Sequence, residues 1–209
     1  MTKIVLVSGK SQAGKDTVCS YMKSKLDDSE VYHFADYLKE ICSNLFNIPM
    51  EHINGSNEDK NRLTSVDWKD LPFSLTQTQN VYMKTKNANF YDGSSEKMSI
   101  RNVLQVFGSD ICRNMDNDCW VNACKSRIER DAPSYALIAD ARFPNEIDAF
   151  PNAIVIRLLR NPLDNKHVSE IALDDYHFEK LKKILILPNS DMTIQSQNET
   201  CLAYLKSHD

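Results

Sequence analysis

The sequence predicts an α/β protein built on a five-stranded parallel sheet flanked by helices, and three observations carry that prediction. Five short apolar runs alternate with stretches of helical periodicity. The first run, Lys3 to Ser8, is continuously apolar rather than alternating, as a strand covered on both faces must be. Finally, that run ends at Gly9, from which a glycine-containing turn leads directly into a helical pattern.

Taken in order, Lys3–Ser8 is the first strand. Val18, Tyr21, Met22, Lys25 and Leu26 then recur at helical spacing, which predicts a helix over about 14–26. Further strands are expected at Val31–Phe34, Tyr135–Ala139, Ile154–Leu159 and Ile184–Leu187, separated by helices near 35–46, 98–115, 117–130 and 198–206. Between about 47 and 97 the chain is rich in Asn, Ser, Thr, Asp and Lys. So long a loop without structure is uncommon in a compact domain, so this polar insertion is expected to contain some helix and to be mobile. A charged stretch opening at Pro162 reads as a second, lid-like segment over about 160–180. The whole, 1–209, is expected to form one domain with this insertion and lid, since 209 residues leave little room for two.

Composition narrows the function. The net charge of −4 lacks the basic footprint of a duplex-DNA or polybasic membrane binder, so no nucleic-acid partner is expected. Nothing approaches the roughly 20 apolar residues of a membrane span, and the start shows no secretory pattern, so a cytoplasmic protein is expected. The six cysteines form no CxxC pair and have no histidine at metal-ligand spacing, which fits reduced, mostly buried thiols. No Ser-His-Asp or Cys-His arrangement can be assembled, and a homodimer is left open.

The turn Gly9-Lys10-Ser11-Gln12-Ala13-Gly14-Lys15-Asp16-Thr17 fits the phosphate-loop pattern G-x-x-x-x-G-K, with Asp at the position usually held by Ser or Thr. Such a loop turns successive backbone N–H groups toward phosphate oxygens. The helix N-terminus adds its positive dipole end, and Lys15 supplies a full charge. Residues 10–17 are therefore expected to bind a nucleoside triphosphate. A carboxylate about 4 Å from a phosphate oxygen would repel it by about 4 kcal/mol at an effective dielectric of 20, so Asp16 needs a counter-charge. Mg²⁺ between Asp16 and the nucleotide, or an arginine, would meet that need, with Thr17 giving a hydroxyl to the phosphates; a helix cap is the plain alternative.

Candidate acceptor residues come later. Ile100, Val103, Leu104, Phe107 and Ile111 form one apolar helix face, while Arg101, Gln105 and Gly108 line up along another side, where a planar ligand could lie or solvent could. Trp120 opens the next helix as either core or a stacking ring. Tyr135–Ala139 runs into Asp140-Ala-Arg142-Phe-Pro-Asn-Glu146, at the strand end where ligands gather in open α/β sheets. That placement suits Asp140 to holding Mg²⁺ or its water, and Arg142 with Glu146 to forming a pair that is either functional or a plain surface contact. Arg157, Arg160 and Lys166 could stabilise charge on transferring phosphates, with His167 an orienting group.

Together, Gly14-Lys15-Asp16-Thr17, the segment Ile100–Asp110, Trp120-Val121, Ala139–Asp148 and His167–Glu170 resemble the bacteriophage deoxynucleoside monophosphate kinases, a P-loop kinase family. In that family the Lys-Asp order is usual. The resemblance implies a P-loop kinase fold and transfer of phosphate from ATP, with Mg²⁺, to a deoxynucleoside monophosphate, giving the diphosphate, in the host-cell cytoplasm if the chain is phage-encoded. It places Lys15, Asp16 and Thr17 at ATP and Mg²⁺ and Arg101, Trp120, Arg142 and Glu146 at the acceptor; the residue patterns above add Arg160 to the ATP side and Gln105, Gly108 and Asp140 to the acceptor side. Lys15, Asp16, Arg101, Arg142 and Glu146 would carry catalysis. Asp36 and Lys39 resemble a short acidic-then-basic element near the acceptor, and the 47–97 insertion, which aligns to nothing, would help form that site. Two rival functions are a small-molecule kinase such as phosphomevalonate kinase, which also carries Gly-Lys-Asp, and a non-enzymatic nucleotide switch.

Overall fold

The structure is a computed structural model that describes residues 2–70, 97–160 and 171–208. Along the chain these residues form β1 (Lys3–Gly9), α1 (Lys15–Lys23), β2 (Ser29–Tyr32), α2 (Asp36–Phe46), α3 (Met50–Asn54), α4 (Asn57–Lys60), β3 (Leu63–Asp67), β4 (Lys97–Ser99) and α5 (Ile100–Gln105). A π-helical stretch, Val106–Arg113, continues α5. Then follow α6 (Cys119–Asp131), β5 (Tyr135–Ala141), α7 (Pro144–Asp148), β6 (Ile154–Leu158), β7 (Ile184–Leu187) and α8 (Ile194–Ser207). The chain divides into two compact units, Met1–Phe34 with Val121–Asp209, and Ala35–Trp120.

The first unit holds a five-stranded sheet in the order β2-β5-β1-β6-β7, with every pairing parallel. Each strand overlaps an apolar run read from the sequence: β1, β5 and β6 are buried along most of their length, whereas β2 lies two residues earlier than the expected Val31–Phe34 and, like β7, is an edge strand that is only partly covered. Val5 and Val7 point into a core that also contains Val18, Cys19 and Met22 of α1 and Cys201, Leu202 and Leu205 of α8. Leu6, between them, faces the opposite side and is equally buried. β1 is the central strand, and its carboxyl end lies in register with two neighbours: Ser8 pairs with Ala141 of β5, and Gly9 with Leu158 of β6. The loop that leaves β1 therefore starts beside the loops that leave β5 and β6.

In the second unit α2, α3 and the α5–π helix surround a smaller core of Cys42, Ile48, Ile53, Trp68, Met98, Ile100, Val103 and Val106. Leu104, Phe107 and Ile111 pack against it, so the apolar face expected for this helix is the one that is buried. β3 and β4 pair antiparallel. The described part of the polar insertion thus holds the short helices α3 and α4 and one strand, and α4 is entered through a capping box in which Ser56 and Asp59 bond each other's backbone amides. Residues 161–170 of the expected lid and the insertion residues 71–96 lie outside the described residues. No helix among the described residues is long and apolar enough to cross a membrane.

Candidate active site

Four carbonyl groups of the loop between β1 and α1 are engaged as acceptors. Lys15 Nζ donates to the carbonyls of Gly9 and Lys10, both at 2.8 Å. The amide of Ala13 also donates to Lys10 O, at 3.1 Å. Arg160 Nη2 donates to Gln12 O at 3.1 Å, and Asn189 Nδ2 to Ala13 O at 2.9 Å. With these carbonyl oxygens engaged, the loop can offer N–H groups to an anion with less carbonyl repulsion. Two left-handed positions make this path feasible, Gln12 at φ 60° and Gly14 at φ 102°. Gly14 is the N-cap residue of α1, and a Cβ there would sit 2.9 Å from Gln197 Nε2, so conformation and space both call for glycine. Lys15 itself is buried, and Thr17 and Asp16 are exposed in the first turn of α1.

Asp16 has a neighbour that the sequence did not offer. His33, one residue beyond β2, places Nε2 2.9 Å from Asp16 Oδ1. Asp140, at the end of β5, accepts the Phe34 amide on Oδ1 at 2.8 Å. Burial first, then the charges of Asp16 and Asp140, push the Cys19 thiol well above its ordinary value, and Lys15 opposes them.

Glu146, buried in α7, accepts the amides of Arg142 at 2.7 Å and Phe143 at 3.0 Å on Oε2, a charge-assisted clasp that shapes the turn after β5. Of the arginines at the end of β6, Arg160 reaches the loop as described. Arg157 is buried, donating to Ser8 Oγ at 2.9 Å, with its guanidinium 5.3 Å from the Phe178 ring. Asp174 lies 3.7 Å from Arg157 and 3.1 Å from Lys10 Nζ. Lys166 and His167 lie outside the described residues.

The residues expected at the acceptor divide between the units. Asp36, Lys39, Arg101, Gln105, Gly108 and Trp120 belong to the second unit. Arg101 Nη2 donates to Asn57 Oδ1 at 3.0 Å, and its Nε to Asn61 Oδ1 at 3.3 Å. Trp120 is buried, with its indole N–H donating to the Gly108 carbonyl at 3.0 Å. A Cβ on Gly108 would stand 2.6 Å from Leu38 Cδ2, so this glycine lets α2 and the π stretch approach closely. Sequence reasoning missed His33, Asn189, Gln197 and Asp174. Asn189 and His33 had a usable signal, since both lie just past strand ends on the edge where ligands gather; Gln197 and Asp174 had none.

A G-x-x-x-x-G-K loop leaving the central strand of a five-stranded parallel sheet, with its lysine in the first turn of the next helix, defines a nucleotide-binding protein with a P-loop kinase fold. The family model described as deoxynucleotide monophosphate kinase matches residues 69–199, and the chain belongs to that family. It is accordingly a phosphotransferase that uses ATP to convert deoxynucleoside monophosphates to diphosphates, which favours this reading over the small-molecule kinase and the non-enzymatic switch. No match was found among the curated proteins.

Proposed function

We propose that residues 10–17 hold the phosphates of ATP, with Lys15 as the mobile charge that follows the transferring group, and that Arg101, Gln105, Gly108, Trp120, Arg142 and Glu146 serve the deoxynucleoside monophosphate, joined by Asp36 and Lys39. The acceptor's phosphate oxygen is already ionised, so its attack on the γ-phosphorus needs no strong base. The bond to the β,γ-bridging oxygen breaks as the new one forms, and positioning and charge neutralisation supply most of the rate. This matches a site with Lys15 and Arg160 on the loop and with His33 engaged with Asp16.

Asp16 and Asp140 suit Mg²⁺, which binds through one or two carboxylates plus phosphates and water. Asp16 is exposed beside the loop, and Asp140 has one oxygen on the Phe34 amide. Bound with the nucleotide, Mg²⁺ would neutralise charge on the β- and γ-phosphate oxygens. Asp16 and Asp140 would hold it, and His33 would keep the Asp16 carboxylate turned toward it.

The observation that carries this proposal is the glycine-containing loop leaving the central strand, with its carbonyls engaged by Lys15, Arg160 and Asn189. Its test is ADP release, coupled to an absorbance readout, with dTMP, dGMP, dCMP, dAMP, the ribonucleotides and phosphomevalonate as acceptors. Acceptor-dependent release with deoxynucleotides is expected. Release with phosphomevalonate alone, or ATP binding without turnover on any acceptor, would overturn it.

A further inference from the structure

Behind the phosphate loop lies a buried amide pair that the reaction as described does not use. Asn189, two residues past β7, is completely buried, and each of its polar hydrogens and its oxygen has a partner. Nδ2 donates to Ala13 O at 2.9 Å and to Gln197 Oε1 at 2.6 Å, while Oδ1 accepts the Arg160 amide at 2.8 Å. The orientation of this carboxamide is unambiguous: a backbone N–H can only donate and a backbone carbonyl can only accept. Gln197, itself buried, must then offer its oxygen to Asn189 and turn its nitrogen toward Gly14.

The consequence follows from peptide geometry. Ala13 C=O and Gly14 N–H belong to one planar trans unit, so they point in opposite directions. Holding the carbonyl on Asn189 aims the Gly14 N–H away from Asn189, to the inner side of the loop where phosphate oxygens bind. The same side chain also holds the Arg160 backbone, and Arg160 in turn holds Gln12 O. From these contacts the geometry points to Asn189, braced by Gln197, as a positioning residue for ATP that aims the Gly14 amide and registers Arg160 against the loop. This inference rests on the reading of residues 10–17 as the ATP site.

Labelling isolates the peptide in question. Of the five glycines, Gly14 alone follows an alanine, so full-length protein carrying ¹³C-carbonyl alanine and ¹⁵N-glycine gives a single carbonyl-to-amide correlation, from Ala13 to Gly14. In the wild type, ATP should shift the Gly14 amide proton. In Asn189→Asp, which keeps the shape and the acceptor but replaces both donors, the Ala13 carbonyl should move upfield and the ATP-induced shift should collapse. KM for ATP should rise about tenfold or more, the worth of one amide bond to a charged group, while KM for the deoxynucleotide stays unchanged. Gln197→Met should act in the same direction and more weakly, and it decides the matter if Asn189→Asp does not fold.

A merely structural brace would lower the unfolding midpoint and leave both the ATP-induced shift and the KM for ATP at wild-type values; that result overturns the inference. A parallel rise in both KM values overturns it as well. A wild-type Gly14 signal indifferent to ATP would remove the ATP site itself, and the inference with it, which distinguishes the two failures.

Discussion

At the scale of single residues the loop reads as a set of opposed charges held ready. Lys15 is buried and bonded to Gly9 O and Lys10 O, two carbonyls that a phosphate can replace as its partners. Lys15→Ala should therefore lower kcat by about a hundred- to a thousandfold, as removal of one preorganised charge does elsewhere, with the circular-dichroism spectrum unchanged. Wild-type turnover in a folded variant would take Lys15 out of the mechanism. Asp16 is 77% exposed yet sits 2.9 Å from His33, so its carboxylate is oriented without being desolvated. Asp16→Asn keeps that contact and removes the charge. The Mg²⁺ concentration for half-maximal rate should rise about tenfold, as expected for losing one anionic oxygen partner. An unaltered Mg²⁺ titration would assign Asp16 to capping alone. The need for a counter-charge was readable from Asp16 in the sequence, and His33 could be placed near a strand end, but their contact was not readable, because residues 16 and 33 meet only through the pairing of β2 beside β5.

Elements show the same division between what local pattern reveals and what only packing decides. β1, β5 and β6 are legible because apolar residues on both faces leave an uninterrupted run, and α1 because Val18 and Met22 keep helical spacing. The order β2-β5-β1-β6-β7 is not legible, since all five runs are chemically alike and only tertiary contacts rank them. The π stretch Val106–Arg113 is likewise hidden, because Phe107 and Ile111 satisfy an α-helical spacing equally well. Such widened turns recur at functional sites. Here the wide turn brings the Gly108 carbonyl to the Trp120 indole and the Gly108 Cα against Leu38. Gly108→Ala gains helix propensity of about 1 kcal/mol but must displace Leu38, and overpacking of this kind costs about 1–3 kcal/mol. A net loss of stability of about 1 kcal/mol or more is expected in urea unfolding, and Gly108→Ala combined with Leu38→Ala should recover part of it. Stabilisation by Gly108→Ala alone would show that the contact yields easily.

For the molecule as a whole, a net charge of −4 means that binding of polyanionic substrates depends on local arrangement rather than on a general positive field. The local cations fall in both units. Lys15 and Arg160 belong to the first, and Arg101 belongs to the second, braced by Asn57 and Asn61 of α4 and the residue after it. A division of labour between donor and acceptor makes a kinetic prediction that a single shared site for one nucleotide does not. Arg101→Ala should raise KM for the deoxynucleotide about tenfold, the cost of one charge-assisted contact, and leave KM for ATP at its wild-type value. Asn57→Ala, which frees one side of the guanidinium without removing it, should reproduce a smaller part of the same change. If Arg101 serves only to tie α4 to α5, both substitutions will lower the unfolding midpoint while neither KM moves. Initial-rate measurements over a grid of both substrate concentrations separate these outcomes, because a change confined to the deoxynucleotide axis can arise only from the acceptor side of the reaction.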